Sequence, residues 1–365
     1  MTVEQIAQTH YRRSTLTTQR VVAAVLAIWR ATGPSGFRDE LTRAAGLVAA
    51  GQLAQATQAA AYLIDLAVEQ DLAAADAVVV PRSLAGTAAN GRPLVDALGS
   101  ATSRAWELLD AGAGIQSAAL SGQATLTRVV SNEVTQAGNN ATHIGMTGQG
   151  EMTGYTRMLQ APSCSRCVIL AGKWFKWNDG FKRHPGCDCV HVPAAEAADV
   201  ADIRTDPRGY FDSLSQADQD KYFGKANAEA IREGSDIGQV VNTSIGRVGS
   251  RTDGSRRAVS GLYEFDANGR TLQATTQGTT IRQGRAGRRM AIADGQIDGR
   301  IPSALERTTR PRLTPKSIYE IAGDDRTKAR QLLYDYGYLD SRPISRDFRS
   351  LMADAGRPNP ALGRR

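Results

Sequence analysis

The sequence predicts an α+β protein built in three parts. A predominantly helical N-terminal part spans 1–145, a small zinc-knuckle α/β module spans 146–200, and a mixed helical and basic region with an extended tail spans 201–365. Three observations carry this expectation. Apolar residues recur at helical spacing through the first part. All four cysteines fall between Cys164 and Cys189. Arginine and glycine then dominate a long polar stretch. At 365 residues the chain exceeds what one hydrophobic core usually supports. Its 41% hydrophobic and 22% charged content exclude a disordered polymer. Aromatics make up only 6%, so the core must rest on helices brought close together by alanine and glycine.

The helices follow in order. Residues 4–30 place Ile6, Val21, Val22, Val25, Leu26 and Trp29 mostly on one face, and Gly33-Pro34-Ser35-Gly36 breaks the chain. Residues 37–72 repeat the pattern through Leu41, Leu47, Leu53, Ala60, Leu63, Leu66 and Val68, a stripe expected to face the core. A third helix is expected over 93–109. A fourth is expected over 124–141, after the flexible Ala111-Gly112-Ala113-Gly114. Small residues at the crossings predict a bundle or a long hairpin. Tyr155 to Gln160 reads as a strand. Residues 214–234 read as one helix, with Ser215 and Asp218 as its capping pair and Gly234 as its stop. Asn268-Gly269, flanked by Tyr263, Phe265, Leu272 and Ala274, predicts a hairpin. Thr314-Pro315 opens a further helix, 325–336 forms another closed by Gly337, and the rest trails as a tail.

The net charge of +7 invites a nucleic-acid reading. Thirteen arginines against six acids in 247–312 make that segment the place where DNA would be met. Yet 37 of the 44 basic residues are arginine, a skew that a GC-rich genome produces without any selection for DNA binding. The apolar run 21–29 lies between Arg20 and Arg30 and is too short to span a bilayer. Glu4 and Gln5 stand where a signal peptide would be basic, so synthesis in the cytoplasm and no membrane partner are expected.

Chemistry concentrates in one place. Cys164-Ser165-Arg166-Cys167 precedes His184-Pro185-Gly186-Cys187-Asp188-Cys189-Val190-His191. A Cys-x-x-Cys turn sets two thiolates at two corners of a tetrahedron, and a distant second pair completes it. The expected ligands of a structural Zn2+ are Cys164, Cys167 and Cys189 with either His184 or Cys187, and His191 ranks last. A full ligand set leaves no position for water, which argues against catalysis. Two competing readings are a pair of disulfides, disfavoured in a reducing cytoplasm, and a reduced metal-free cluster held by packing. Enzyme signatures are missing from the sequence. It has no His-x-Glu for a deaminase, no His-Glu-x-x-His, no Walker loop and no Gly-x-Ser-x-Gly. Gly148, Gly150 and Gly154 miss the dinucleotide spacing by one residue, and only His10 and His143 lie outside the cluster.

The same stretch carries a resemblance. Gly154-Tyr155-x-Arg157, Cys164-x-x-Cys167, Leu170-x-Gly172, Phe181 and His184-Pro185-x-Cys187-x-Cys189, followed by Pro193, resemble the phage Mu F-like minor head protein family of actinobacterial phages. The similarity covers about 127–195, and 211–242 and 313–338 look like the C-terminal parts of such proteins. It implies a non-catalytic structural protein of the virion, few in copies, inside the capsid near the portal. Its implied partners are the portal protein, scaffold and major capsid protein, and its implied work is head assembly and DNA packaging or ejection.

Overall fold

The computed structural model describes residues 1–179, 189–243, 247–250, 256–259, 262–267, 269–275, 290 and 312–339. It is a mixed fold, mostly helical with small sheets, as the α+β expectation has it broadly. The chain divides into two units, Met1–Ser163 with Leu170–Asp206, and Cys164–Ile169 with Pro207–Arg365. Among the described residues no helix is long and apolar enough to cross a membrane.

The first unit is a bundle of α1 (Val3–Gly36), α2 (Leu41–Glu69), α3 (Leu94–Asp110) and α4 (Ile115–Gly148). Helix α1 starts on a capping box, in which the Thr2 hydroxyl accepts from the Gln5 N–H and the Gln5 side chain accepts from the Thr2 N–H. The expected break falls at Gly33, whose φ of 67° lies outside the helical region, and one further turn runs to Gly36. Helix α4 departs most from expectation, extending well beyond both ends of 124–141. The glycines within it act in packing and do not end the helix. A Cβ at Gly122 would lie 2.6 Å from the Trp29 ring and 2.9 Å from the Ala101 carbonyl oxygen. Gly51 of α2 is crowded in the same way by Val21 and Val134.

Two cores fill this unit. One gathers Val25, Leu26, Trp29, Phe37, Val48, Leu98, Leu126 and Val130 between the four helices. The other joins the helix ends to a three-stranded antiparallel sheet through Ile6, Tyr62, Leu66, Met146, Met152, Tyr155 and Val192. That sheet has the order β2-β1-β3, with β1 Gly154–Met158, β2 Phe175–Lys176 and β3 Val190–Ala194. Gln52 and Gln55 are buried in the bundle, and both are satisfied. Gln52 Nε2 donates to Thr87 O at 2.9 Å, and Gln55 Nε2 donates to Ser14 O at 2.8 Å and to Thr18 Oγ1 at 3.0 Å. Buried amides that find partners select one arrangement of the helices over others, because a shifted helix would strand them.

The short helix α5 (Ser165–Ala171) follows β1 in the chain. The second unit holds α6 (Pro207–Ser213), α7 (Gln216–Phe223), α8 (Lys225–Arg232) and α9 (Ile237–Thr243). The single helix expected over 214–234 is therefore two. Gly224 at φ 85° ends α7 and leads into α8, while Ser215 caps the Asp218 N–H and Gly234 closes the pair, both as expected. Strands β4 (Arg247–Ser250) and β5 (Arg256–Val259) pair with each other. Strands β6 (Leu262–Ala267) and β7 (Arg270–Thr275) form the expected hairpin, with Phe265 opposite Leu272 and Tyr263 opposite Ala274, and β8 (Arg312–Leu313) joins its edge. Helices α10 (Pro315–Ala322) and α11 (Arg326–Asp335) complete the unit; Thr314 stands at the first N-cap position with its hydroxyl turned to Gln273 O, and Asp325 caps the second by accepting from the Lys328 N–H. Of the arginine-rich stretch 247–312, residues 251–255, 260–261, 268, 276–289 and 291–311 lie outside the described residues, as does the expected tail from 340 onward.

The glycine packing makes a paired prediction. In an exposed helix position, replacing glycine by alanine stabilises by about 1 kcal/mol. Gly46→Ala, with open space around it, should raise the urea midpoint accordingly. Gly122→Ala should instead lower it, and Gly122→Val should cost about 1–3 kcal/mol by displacing Trp29. A stabilised Gly122→Ala protein would refute the close approach.

A second prediction concerns pH. His10 stacks on Tyr62 with ring centroids 4.1 Å apart, bridging α1 and α2. Burial first, and the nearby Arg13 charge second, hold its pKa down at about 4. Between that value and its ordinary 6.5, the unfolded chain binds a proton that the folded chain refuses. This contribution to stability is complete above pH 6.5 and is lost as pH falls towards 4. His10→Phe keeps a ring on Tyr62 and removes the effect. Between about pH 7 and about pH 4.5, its urea stability should fall less than that of the parent, by about 1–2 kcal/mol for a half-buried ring. Parallel pH profiles for the two proteins would contradict it.

Candidate functional site

Of the residues that carry the resemblance, Gly154, Tyr155, Arg157 and Pro193 lie on strands of the β2-β1-β3 sheet and Cys164 and Cys167 at the turn that opens α5, while Phe181, His184, Pro185 and Cys187 lie outside the described residues. Gly154 begins β1 where any side chain would strike the Phe175 carbonyl and the Trp174 ring, so glycine is required there. Tyr155 is fully buried, stacks on Phe175 with centroids 5.1 Å apart and meets the edge of His191 at 5.1 Å. Its hydroxyl pKa is raised, first by burial, while the Arg157 charge and a hydrogen bond from it act in the opposite sense. Arg157 is 1% exposed, with its guanidinium carbon 5.0 Å from the Phe175 ring centre. Each residue of this motif is spent on packing.

Strand β3 is tied to the bundle by side chains that sequence reasoning passed over. The Tyr62 hydroxyl donates to the His191 carbonyl at 3.0 Å, and burial raises its pKa. Gln70 Nε2 donates to Pro193 O, and Gln70 Oε1 accepts from the Ala195 N–H, both at 3.2 Å. A tyrosine inside an amphipathic helix and a glutamine at its C-cap carry no local mark of such a role. Only the docked sheet reveals it.

The metal candidates fall as follows. Cys164 stands just before α5 and its sulfur accepts from the Cys167 N–H at 3.5 Å, while Cys167 is buried in the first helical turn. A sulfur that takes a backbone N–H and shares one short turn with a second thiol is suited to a soft divalent ion such as zinc. Cys189 is buried immediately before β3, close enough for its charge to raise the Tyr155 pKa. His191, the lowest-ranked candidate, packs against the Tyr155 ring. Cys164 and Cys167 belong to the second unit and Cys189 to the first. His184 and Cys187 lie outside the described residues. Among the described residues no group of three or more His, Cys, Asp or Glu side chains is placed to hold a metal.

The second unit contains a cavity of 990 Å³ that no motif announced, because its walls come from α8, from α10 and α11, and from the hairpin strands. Its charges are largely spent on one another. The buried Glu233 carboxylate receives both Arg326 and Arg330, the latter at 2.6 Å. Arg232 bridges Asp220 at 3.0 Å and Glu229 at 2.8 Å. The Tyr319 hydroxyl is pushed well above its ordinary pKa, first by burial and then by Glu229 and Glu233. This is an ion-pair network around a cavity.

Among known proteins, the family described as VG15 protein matches residues 1–217, which takes in the whole helical bundle and the β2-β1-β3 sheet. No curated protein and no solved structure matches the chain. With well over half of its length inside that match, the chain belongs to the VG15 family of phage gene products and is a bacteriophage protein.

Proposed function

We propose that this phage protein is a non-catalytic structural component of the head, a minor head protein of the Mu F-like kind. In this reading it sits inside the capsid near the portal and acts in head assembly and in DNA packaging or ejection. One observation carries the reading. Gly154, Tyr155 and Arg157, through which the chain resembles Mu F-like proteins, are buried on strand β1 and engaged in packing. Membership of a phage family supports the setting, and the portal, scaffold and major capsid protein are the proposed partners.

The test is compositional. Peptide mass spectrometry of gradient-purified virions should find the chain at a few copies per particle. Particles made without it should be empty or fail to deliver DNA. Intact, infectious particles lacking the protein would overturn the reading.

We further propose that Cys164, Cys167 and Cys189, with His184 or Cys187, take up one structural zinc ion. The support is the spacing of these residues together with the Cys164–Cys167 turn. Elemental mass spectrometry of the protein purified without chelator should give one zinc per chain. The double variant Cys164→Ser, Cys167→Ser should lose it and expose 150–195 to protease. Fully folded protein without metal would defeat the proposal.

A further inference from the structure

The bundle end formed by the close of α2, the segment 72–79 and the close of α4 carries an apolar groove of 470 Å³. Leu63, Ile64, Val68, Leu72, Val78 and Val79 line it. Three of them stand well out into solvent, Ile64 at 61% exposure, Val68 at 74% and Val78 at 77%. Ile64 and Val68 follow one another at four-residue spacing on α2, exposed beyond what the core of the bundle uses, and Leu72 lies just past the end of the helix on the same groove.

The groove is held open by its own backbone. Gln149 Nε2 donates to Ala73 O at 2.7 Å, and the Ala73 N–H donates to Glu151 Oε2 at 2.8 Å. The Asp76 and Ala77 N–H groups both donate to Gly148 O, at 3.0 and 3.3 Å. Gly145 and Gly148 let 72–79 lie directly on α4, since a Cβ at either would strike Leu63 or the Ala77 carbonyl. A rigid wall of this sort cannot fold over to hide Val68 and Val78, so the apolar surface persists unless something covers it.

Charge indicates what that is. The two segments that build the groove, 44–81 and 129–156, contain no lysine and no arginine, in a chain whose net charge is +7. Of their acids, Asp71, Asp76 and Glu151 border the groove, whereas Glu133 is buried in the bundle, Asp65 lies in a separate pocket beside Arg13 and Glu69 pairs with the N-terminal amine. Asp71 and Asp76 flank groove residues in sequence, and Glu151 is fastened to Ala73 on its wall. We propose that the groove docks a basic amphipathic helix of a partner protein. Apolar side chains of that helix at i, i+3 or i+4, and i+7 fill the row along α2, and its lysines and arginines meet the acidic rim. A second copy of this chain, pairing groove to groove, would set like charges against each other. Anionic lipid would be repelled by the same rim. The inference concerns a surface of the first unit and stands apart from the assignment to the phage head.

Fluorescence anisotropy on the full chain tests it with labelled synthetic peptides roughly two heptads long. One carries leucine at helical spacing on a lysine background, one the same leucines on glutamate, and one lysines with serine in place of leucine. The leucine–lysine peptide should bind at least about tenfold more tightly than either of the others and weaken with salt. Val68→Lys, a change at an exposed position, should abolish that preference while the circular dichroism spectrum stays as in the parent. Equal binding of the lysine and glutamate peptides would overturn the proposal. So would a preference untouched by Val68→Lys. Self-association seen in sedimentation and lost in Val68→Lys would overturn it in favour of an interface between copies.

Discussion

Helix α4 can reach its neighbours only because side chains are missing where they cross. Trp29 lies over Gly122 of α4, Val21 and Val134 close over Gly51 of α2, and Leu63 fills the space that a side chain at Gly145 would take. With few aromatic residues to span wider gaps, the bundle gains its dispersion energy by bringing backbones together. Glycine inside a helix costs about 1 kcal/mol against alanine, a cost that contact with a tryptophan or leucine offsets. The position of the sheet and the apolar groove both follow from this one geometry.

Close approach leaves polar groups inside, and their partners define the register. Gln52 and Gln55 present amides to carbonyls on neighbouring segments, and Glu133 accepts from the Ala89 N–H at 2.6 Å. Were α2 to slide by one turn, these groups would be stranded at a cost of about 1–3 kcal/mol each. The same logic joins the sheet to the helices, where Tyr62 and Gln70 hold β3 by its carbonyls. Buried polar contacts thus do for orientation what the apolar core does for stability. In the second unit, Arg312 plays a comparable part. It is 1% exposed, donates to the Tyr336 carbonyl at 3.0 Å and lies 4.4 Å above the Tyr338 ring, with burial drawing its pKa below the ordinary arginine value.

Much of the fold is legible from periodicity and punctuation. Helices α1 to α3, the Ser215 cap, the hairpin around Gly269 and the Thr314-Pro315 helix start depend on neighbouring residues alone, so local sequence suffices to find them. Glycine is where local reading fails. Gly224 at φ 85° ends a helix, whereas Gly122 and Gly145 sit inside one, and the sequence around them does not separate the two uses. Of the site, the motif residues Gly154, Tyr155 and Arg157 could be named in advance, but not their burial beneath Phe175 and His191. The contacts of Tyr62, Gln70 and His10 left no signal at all, because their partners lie 52 to 129 positions away.

The sequence by itself determined the helices over 4–30, 37–72 and 93–109, where the hairpin turns, the clustering of thiols and imidazoles between Cys164 and His191, and the absence of lysine and arginine from 44–81 and 129–156. Each of these is a property of residue order or of composition within a window. The tertiary structure alone decided which glycines are contact points, that the motif arginine and tyrosine are buried, and that the cation-free segments come together around an open apolar row. Those facts depend on which distant backbones touch, and contact between chain segments is set by the summed packing of the whole bundle, which no window of sequence contains.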